Sequence, residues 1–239
     1  MRKVIHNKHK NYHEIILNRE KHCNALDYEI LCELNQIFAK IKIDNSTKCL
    51  LFRGQGNNFC SGADLNWFHQ VKESNNAQNK LSLLAKTLQN LRKLPQVTLC
   101  HVNGNIMGGG IGLALSCNIV IAEKESLFST PEIKIGLVPA IILPYVVNAI
   151  GKRRALEMFL TARKIRTPEA KELGLIHEIG SLGFAVEYLK SLTGTLEHTS
   201  TDIINKIKTM VNAYNYSGTQ NNSVEDLYHA ISVSLQRNN

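Results

Sequence analysis

Glu132 is the side chain in this sequence best suited to carry a proton. It lies in a run, 127–150, that is dominated by apolar residues and nearly devoid of other carboxylates. Desolvation in such a run raises a carboxyl pKa, so the group can exchange a proton near neutral pH. A second reading stays open, because Pro131-Glu132 is also a good helix start, where an acid meets the positive end of the dipole. Ahead of the acid stands a glycine cluster: Gly104, Gly108, Gly109, Gly110 and Gly112. Gly104 and Gly109 have the spacing of a phosphate loop, but Gly110 and Ile111 occupy the places of the required lysine and hydroxyl residue. Gly108 and Gly110 begin a dinucleotide fingerprint that Leu113 breaks. The remaining explanation is geometric. Glycines let a backbone N–H approach a ligand at a helix start, or let a tight turn sit against a neighbour.

Other groups offer less. His6, His9 and His13 have a helix-like spacing that suits a metal, but they precede the first expected strand in a basic segment that reads as a solvated tail. No metal site is expected. Cys60-Ser61 lies beside Gly62, yet no pattern identifies a base for either nucleophile. His101, inside a β-rich run, reads as a core histidine with its hydrogen bonds satisfied. Lys152-Arg153-Arg154 reads as a solvated helix face, and no aromatic platform or recognised motif for nucleic acid is found.

These groups need elements to hold them. Residues 14–18 (EIILN) form the first expected strand, 26–43 an amphipathic helix, and 49–52 (CLLF) a second strand. A glycine-containing loop, GQGNNFCSGAD, follows. Leu81, Leu84, Leu88 and Leu91 predict a helix over 79–94, stopped by Pro95. VTLCHV (97–102) and IVIA (119–122) are strands on either side of IGLALSC (111–117), a buried helix. A basic helix starts near Gly151, and Thr167-Pro168-Glu169 starts another with the threonine as N-cap. Beyond 181 only helix is expected, with a polar interruption over 215–222. Short strands alternating with helices indicate an α/β core, without an exact internal repeat.

At 239 residues the chain can bury a core without a metal or disulfide staple. Its 44% hydrophobic and 20% charged composition excludes a disordered chain, a collagen-like fibre and a disulfide-rich mini-protein. The net charge of +8 permits an anionic partner without choosing among nucleic acid, a membrane surface and a phosphorylated small molecule. Six cysteines without a Cys-x-x-Cys pair point to a reducing, cytoplasmic compartment. Residues 1–10 lack the apolar stretch of a signal peptide, and Lys134, Pro139 and Pro144 interrupt the longest greasy region, so no membrane span is expected.

Six collinear segments carry a resemblance: LNREKHCNAL (17–26), FCSGADL (59–65), HVNGNIMGGGIGLALSCNIVIA (101–122), FSTPEIKIGLVP (128–139), IGKRRALEMFLTARKI (150–165) and AKELGLI (170–176). In this order they resemble the crotonase, or enoyl-CoA hydratase/isomerase, superfamily. The resemblance implies a ββα spiral core over 1–180 and a helical region over 181–239 that builds homotrimers, often paired into hexamers. It implies an acyl-CoA thioester as the partner, coenzyme A being part of the substrate, with no separate cofactor, no nucleic acid and no membrane. The apolar stripe Ile203, Ile204, Ile207, Met210 and Val211 would then be covered between subunits.

The family's shared chemistry is stabilisation of a thioester enolate by two backbone N–H groups. Matched by motif, these belong to Ala63 and Gly109. Ala63, Asp64, Leu65 and Asn66 match the stretch along the acyl-CoA, and Lys21 and His22 match the turn around its adenine end. Glu132 matches the later of two catalytic glutamates, while Gly112 stands in the place of the first. AIILPY (140–145) replaces a Gly-Gly-Thr-Gln run. Within the family the chain resembles a subgroup with methylglutaconyl-CoA hydratase-like proteins and the dehydratases of polyketide β-branching. The implied activity is hydration or dehydration of an enoyl thioester. Alternatives are Δ3,Δ2-enoyl-CoA isomerisation by one glutamate, and acyl-CoA binding with little turnover.

Overall fold

The computed structural model describes residues 2–67 and 77–213. It opens on two strands, β1 (Val4–Lys8) and β2 (Tyr12–Leu17), paired antiparallel. The histidines therefore do not lie in a tail: His6 is in β1, His9 is exposed in the turn after it, and His13, in β2, is only 2% exposed. VIHNK has too few apolar residues to announce a strand, and pairing with β2 supplies what its own pattern lacks. Helix α1 (Tyr28–Lys42) begins at Asp27, whose carboxylate accepts the Ile30 N–H, a cap worth about 1 kcal/mol. Ile30, Leu31, Leu34, Phe38 and Ile41 bury its inner stripe.

One unit then recurs: a strand, a short strand and a helix. It appears first as β3 (Cys49–Gly54), β4 (Asn58–Cys60) and α2 (Ala77–Arg92). It returns as β5 (Val97–Val102), β6 (Asn105–Met107) and α3 (Gly109–Ser116). A further turn comprises β7 (Ile119–Ala122), β8 (Leu127–Ser129), a 3-10 turn at Pro131–Ile135 and α4 (Leu143–Thr161). Then follow β9 (Ile165–Arg166), α5 (Thr167–Leu173), β10 (Glu178–Ile179), α6 (Leu182–Thr195) and α7 (Thr201–Ala213). The longer strands form one sheet in the order β1-β2-β3-β5-β7-β10, and the short ones a second in the order β4-β6-β8-β9. β2, β3, β5 and β7 run parallel, as do β4, β6 and β8, so the chain winds as a ββα spiral.

Both faces of the large sheet are covered. On β3, Leu50 and Phe52 enter the main core, while Cys49 and Leu51 meet Leu99, Ile121, Ala185 and Leu189 on the other side, where α6 lies. Such strands read as continuous apolar runs, which is why CLLF and VTLCHV stand out in the sequence.

Several expectations need correction. Thr167 does not cap α5. Its hydroxyl donates to Glu123 O (2.8 Å) and Ser126 O (3.0 Å), and Arg166 takes the N-cap place. A helix does start near Gly151, whose φ of 76° is not helical, but an unexpected helical segment from Leu143 precedes it across that kink, and the two are counted together as α4. The apolar run after Glu132 is buried only in its second half: Ile133, Ile135, Val138 and Leu143 are exposed, whereas Ile142, Tyr145, Val146 and Ile150 are buried. His101 is buried, but its Nε2 has no hydrogen-bond partner among the described residues, and burial pushes its pKa down to about 4. All six cysteines are free, four of them buried. No described helix is long and apolar enough to cross a membrane. The polar stretch expected over 215–222 lies outside the described residues.

Candidate active site

Stacking of the spiral places one component of the site at the end of each short strand. Leu26, just ahead of α1, bridges Ala63, which follows β4. Met107 at the end of β6 is in register with Ser129 at the end of β8. Gly108 and Gly109 follow β6 directly, and Glu132 comes three residues after Ser129.

Gly108 makes room for the acid. Its φ is 46°, a region that L side chains disfavour, and a methyl group placed on it would lie 2.6 Å from Glu132 Oε1. The residues leading to the acid are tied down: Gly108 N–H donates to Ser129 O (3.1 Å), and the Ser129 and Thr130 hydroxyls donate to Ala162 O (3.2 Å) and Met158 O (3.1 Å). Glu132 Oε2 is buried and has no hydrogen-bond partner among the described residues. Burial pushes its pKa up from the ordinary carboxyl value, against a weaker opposing pull from its own backbone N–H. Glu132 also stands in the first turn of the Pro131–Ile135 3-10 helix, so the helix-start placement is real. A solvated dipole partner, however, would not leave a buried oxygen unpaired.

Two backbone donors neighbour each other at this point. Gly109 opens α3, where helical N–H groups have no partner within the helix. Leu26 N–H donates to Gly62 O (2.8 Å) and Asp64 N–H to Leu26 O (2.9 Å), which turns the intervening Ala63 N–H away from Leu26. Neither the Ala63 nor the Gly109 N–H donates a hydrogen bond among the described residues. A methyl on Gly62 would lie 3.6 Å from Gly109 N, and one on Gly109 would lie 3.8 Å from Ala63 N. Unused donors fixed by the backbone beside an acid of raised pKa can hold an oxygen on which negative charge develops.

Within the glycine cluster, the Gly109 N–H is unused, and Gly110 and Gly112 permit close contact. A methyl on Gly110 would lie 2.7 Å from Cys60 O, and one on Gly112 would lie 2.8 Å from both Ile142 Cγ2 and Leu88 Cδ1. Ile142 and Leu88 are themselves buried. Hydrocarbon therefore fills the space in which a side chain at position 112 would begin, and an acid there would have to displace it.

The other sequence-derived residues surround this centre unevenly. Asp64 is engaged: Oδ2 accepts from Arg19 Nη1 (2.6 Å), and Oδ1 accepts the Asn66 (2.9 Å) and Trp67 (3.1 Å) N–H groups. Although burial raises its pKa, Arg19 and these N–H donors hold it below the ordinary value. Leu65 and Asn66 are exposed just beyond it. Lys21 and His22 are exposed on a 3-10 turn, Glu20–His22, and the adjoining Cys23 O accepts the Ser61 N–H (3.0 Å). The Cys60 thiol is buried, and burial pushes its pKa up to about 12, so it is no nucleophile. His6 and His13 face each other in the β1–β2 hairpin, Nε2 to Nδ1 at 3.1 Å, outside the site. Sequence reasoning did not single out Arg19 and Asn24, whose only signal is their place in LNREKHCNAL. Asn24 is fully buried with φ 54°, and its side chain joins Arg19 N, Gln55 O and Asn58 O.

Residues 7–232 match the protein family described as Enoyl-CoA hydratase/isomerase. A Thermus thermophilus protein, provisionally named an enoyl-CoA hydratase, is 33% identical over 181 residues, covering 74% of this chain and 71% of the relative. YngF of Bacillus subtilis, provisionally named an enoyl-CoA hydratase/isomerase, is 34% identical over 170 residues, or 69% of this chain. The match spans 64% of that relative, slightly less than two thirds of its length. Among solved structures, Pseudomonas aeruginosa AtuE superposes with a TM-score of 0.90 at 25% identity, covering 98% of this chain and 92% of that one.

Proposed function

The chain belongs to the enoyl-CoA hydratase/isomerase family, and from that premise we propose that it hydrates or dehydrates an enoyl thioester of coenzyme A or of a carrier protein. One observation carries the reading: a carboxyl with one buried, unpartnered oxygen packs against Gly108, next to two unused backbone N–H groups. The thioester oxygen accepts from the Ala63 and Gly109 N–H groups as the enolate forms. The Glu132 carboxylate takes a proton from water while the water oxygen bonds to C3, and the resulting carboxyl returns a proton to C2. Dehydration is the reverse. Ala63, Asp64, Leu65 and Asn66 flank the thioester arm, with Lys21 and His22 towards the adenine end. The net charge of +8 suits a polyphosphate. Methylglutaconyl-type thioesters are the first candidates for the acyl group, on the subgroup resemblance.

A second reading, Δ3,Δ2-enoyl-CoA isomerisation, is favoured by the hydrocarbon around Gly112. Leu88 and Ile142 stand where a second acid would hold water, and one carboxyl suffices to take a proton from C2 and deliver it to C4. Incubation with 2-enoyl-, 3-enoyl- and methylglutaconyl-CoA separates the readings by mass and chromatography. Gain of one water by a 2-enoyl or methylglutaconyl thioester is the expected result. Conversion of the 3-enoyl thioester at unchanged mass selects isomerisation, and no conversion of any of them leaves a binding protein.

Assembly belongs to the same proposal. On α7 Ile204 is buried while Ile207 and Val211 are exposed, and Val138, Leu156 and Leu160 add further exposed apolar surface. Such surface marks association sites, and the region 181–239 is assigned to it. Light scattering at micromolar concentration is expected to give a homotrimer or hexamer; a monodisperse monomer would remove this part of the proposal.

A further inference from the structure

We propose that Arg19 is a positioning residue for the reaction: its ion pair with Asp64 fixes the direction of the Ala63 N–H. This rests on the proposed role of that N–H as an oxyanion donor. Arg19 Nη1 donates to Asp64 Oδ2 (2.6 Å) and to Ala25 O (3.1 Å), and lies 3.5 Å from Asp27 Oδ2. The Arg19 and Asp64 side chains are 16% and 13% exposed, so water screens the pair little. Asp64 directly follows Ala63, and its second oxygen holds the N–H groups of Asn66 and Trp67. Asp27 in turn caps α1 and pairs with Lys3 (2.6 Å). One guanidinium thus stands between the acid that starts α1 and the acid that starts the turn beyond Ala63.

A backbone donor has no rotamer to adjust, so its aim is set by the torsions of its own residue and its neighbours. Gly62, immediately before Ala63, has φ 94° and no side chain to limit it. Without Arg19, the donor is held by the two bonds to the Leu26 backbone and, before that glycine, by the Ser61 N–H on Cys23 O, with no side-chain tie after Ala63 to another element among the described residues. An oxyanion donor must be held where charge develops before the reaction begins, and small misplacements lower the rate steeply. The two N–H groups of Arg19 Nη1 are both spent within the protein, on Asp64 Oδ2 and Ala25 O, and Arg19 is thereby assigned to this loop rather than to a ligand. Its loss should therefore act on kcat and on polarisation of the thioester, and little on affinity.

The probe is 2-enoyl-CoA carrying ¹³C at the thioester carbonyl, bound to protein that also carries Glu132→Gln so that the ligand does not turn over. Infrared difference spectra read hydrogen bonding to the carbonyl oxygen whether the natural reaction is hydration or isomerisation. With Arg19 and Asp64 intact the band is expected below its frequency in water. Arg19→Gln and Asp64→Asn should each move it back towards the free value, with partial recovery in Arg19→Lys. With Glu132 restored, these variants should lower kcat by about 10- to 100-fold, short of the loss of a whole oxyanion donor, with KM within about threefold. A lowered kcat with an unmoved band would overturn the proposal, and so would a raised KM with kcat and band unchanged, since Arg19 would then touch the substrate. If Arg19→Gln does not fold, an unmoved band in both Arg19→Lys and Asp64→Asn overturns it. No band shift with Arg19 and Asp64 intact would instead remove the oxyanion reading itself.

Discussion

Glu132→Gln is expected to lower turnover by about 10²–10⁴-fold, the range for loss of a general acid–base group, while acyl-CoA affinity stays within about threefold. Glutamine keeps the size of the side chain and removes only its ionisable proton. Steady-state rates and calorimetric binding read the two effects separately, and unchanged turnover would take Glu132 out of the mechanism. Stability should move the other way. Burial raises the folded-state pKa of Glu132 above its unfolded value, so between those two values the folded protein binds more protons. Its stability then falls as pH rises through that window. Glutamine does not titrate, so chemical denaturation of the variant should show an advantage that grows across the window and persists above it. Where Glu132 must accept a proton, kcat/KM should fall at low pH with an apparent pKa above that of an ordinary carboxyl.

Gly108→Ala should be nearly as damaging although it removes no functional group. A side chain at φ 46° and ψ −117° carries about 1–3 kcal/mol of backbone strain, which a lowered denaturation midpoint would show. The larger effect is on the acid. A methyl 2.6 Å from Glu132 Oε1 must push the carboxyl aside, and a displacement of about 1 Å can lower the rate about 10²-fold. Because both substitutions act through one carboxyl, Gly108→Ala should have much less effect on turnover in a Glu132→Gln background. Full additivity of the two losses would show that Gly108 does not work through Glu132.

Legibility in the sequence followed burial. VTLCHV and IVIA match β5 and β7 to the residue, because a strand covered on both faces is apolar throughout. β1 leaves no pattern of its own in the sequence, because it borrows its burial from β2. The apolar run after Glu132 mixes exposed Ile133, Ile135 and Val138 with buried Ile142, Val146 and Ile150, and apolar composition alone does not distinguish the two. At the site, Glu132 and the glycines were readable from residue type. Ala63 came only through the family resemblance, since a backbone N–H leaves no side-chain signature. Asp64 was placed beside the substrate, but its carboxylate is taken by Arg19, 45 residues earlier, and local spacing contains no trace of that contact.

The recurring strand–strand–helix unit has a consequence for the life of the chain. Ala63, Gly109 and Glu132 each follow a short strand in a different turn, and they meet only through contacts between turns. On the proposed mechanism, a nascent chain that has emerged as far as Ala63, or even Gly109, has no place for an oxyanion and its proton carrier together. Parallel strands joined through long connections also pair slowly, which prolongs the interval in which partly wound chains expose apolar surface. A ligand that needs all three groups cannot rescue those intermediates. It can only draw chains into the wound state by mass action, by about 2.7 kcal/mol at a hundredfold excess over its dissociation constant. Supply of such a ligand would then set not only the flux through the protein but also how long each wound copy survives proteolysis.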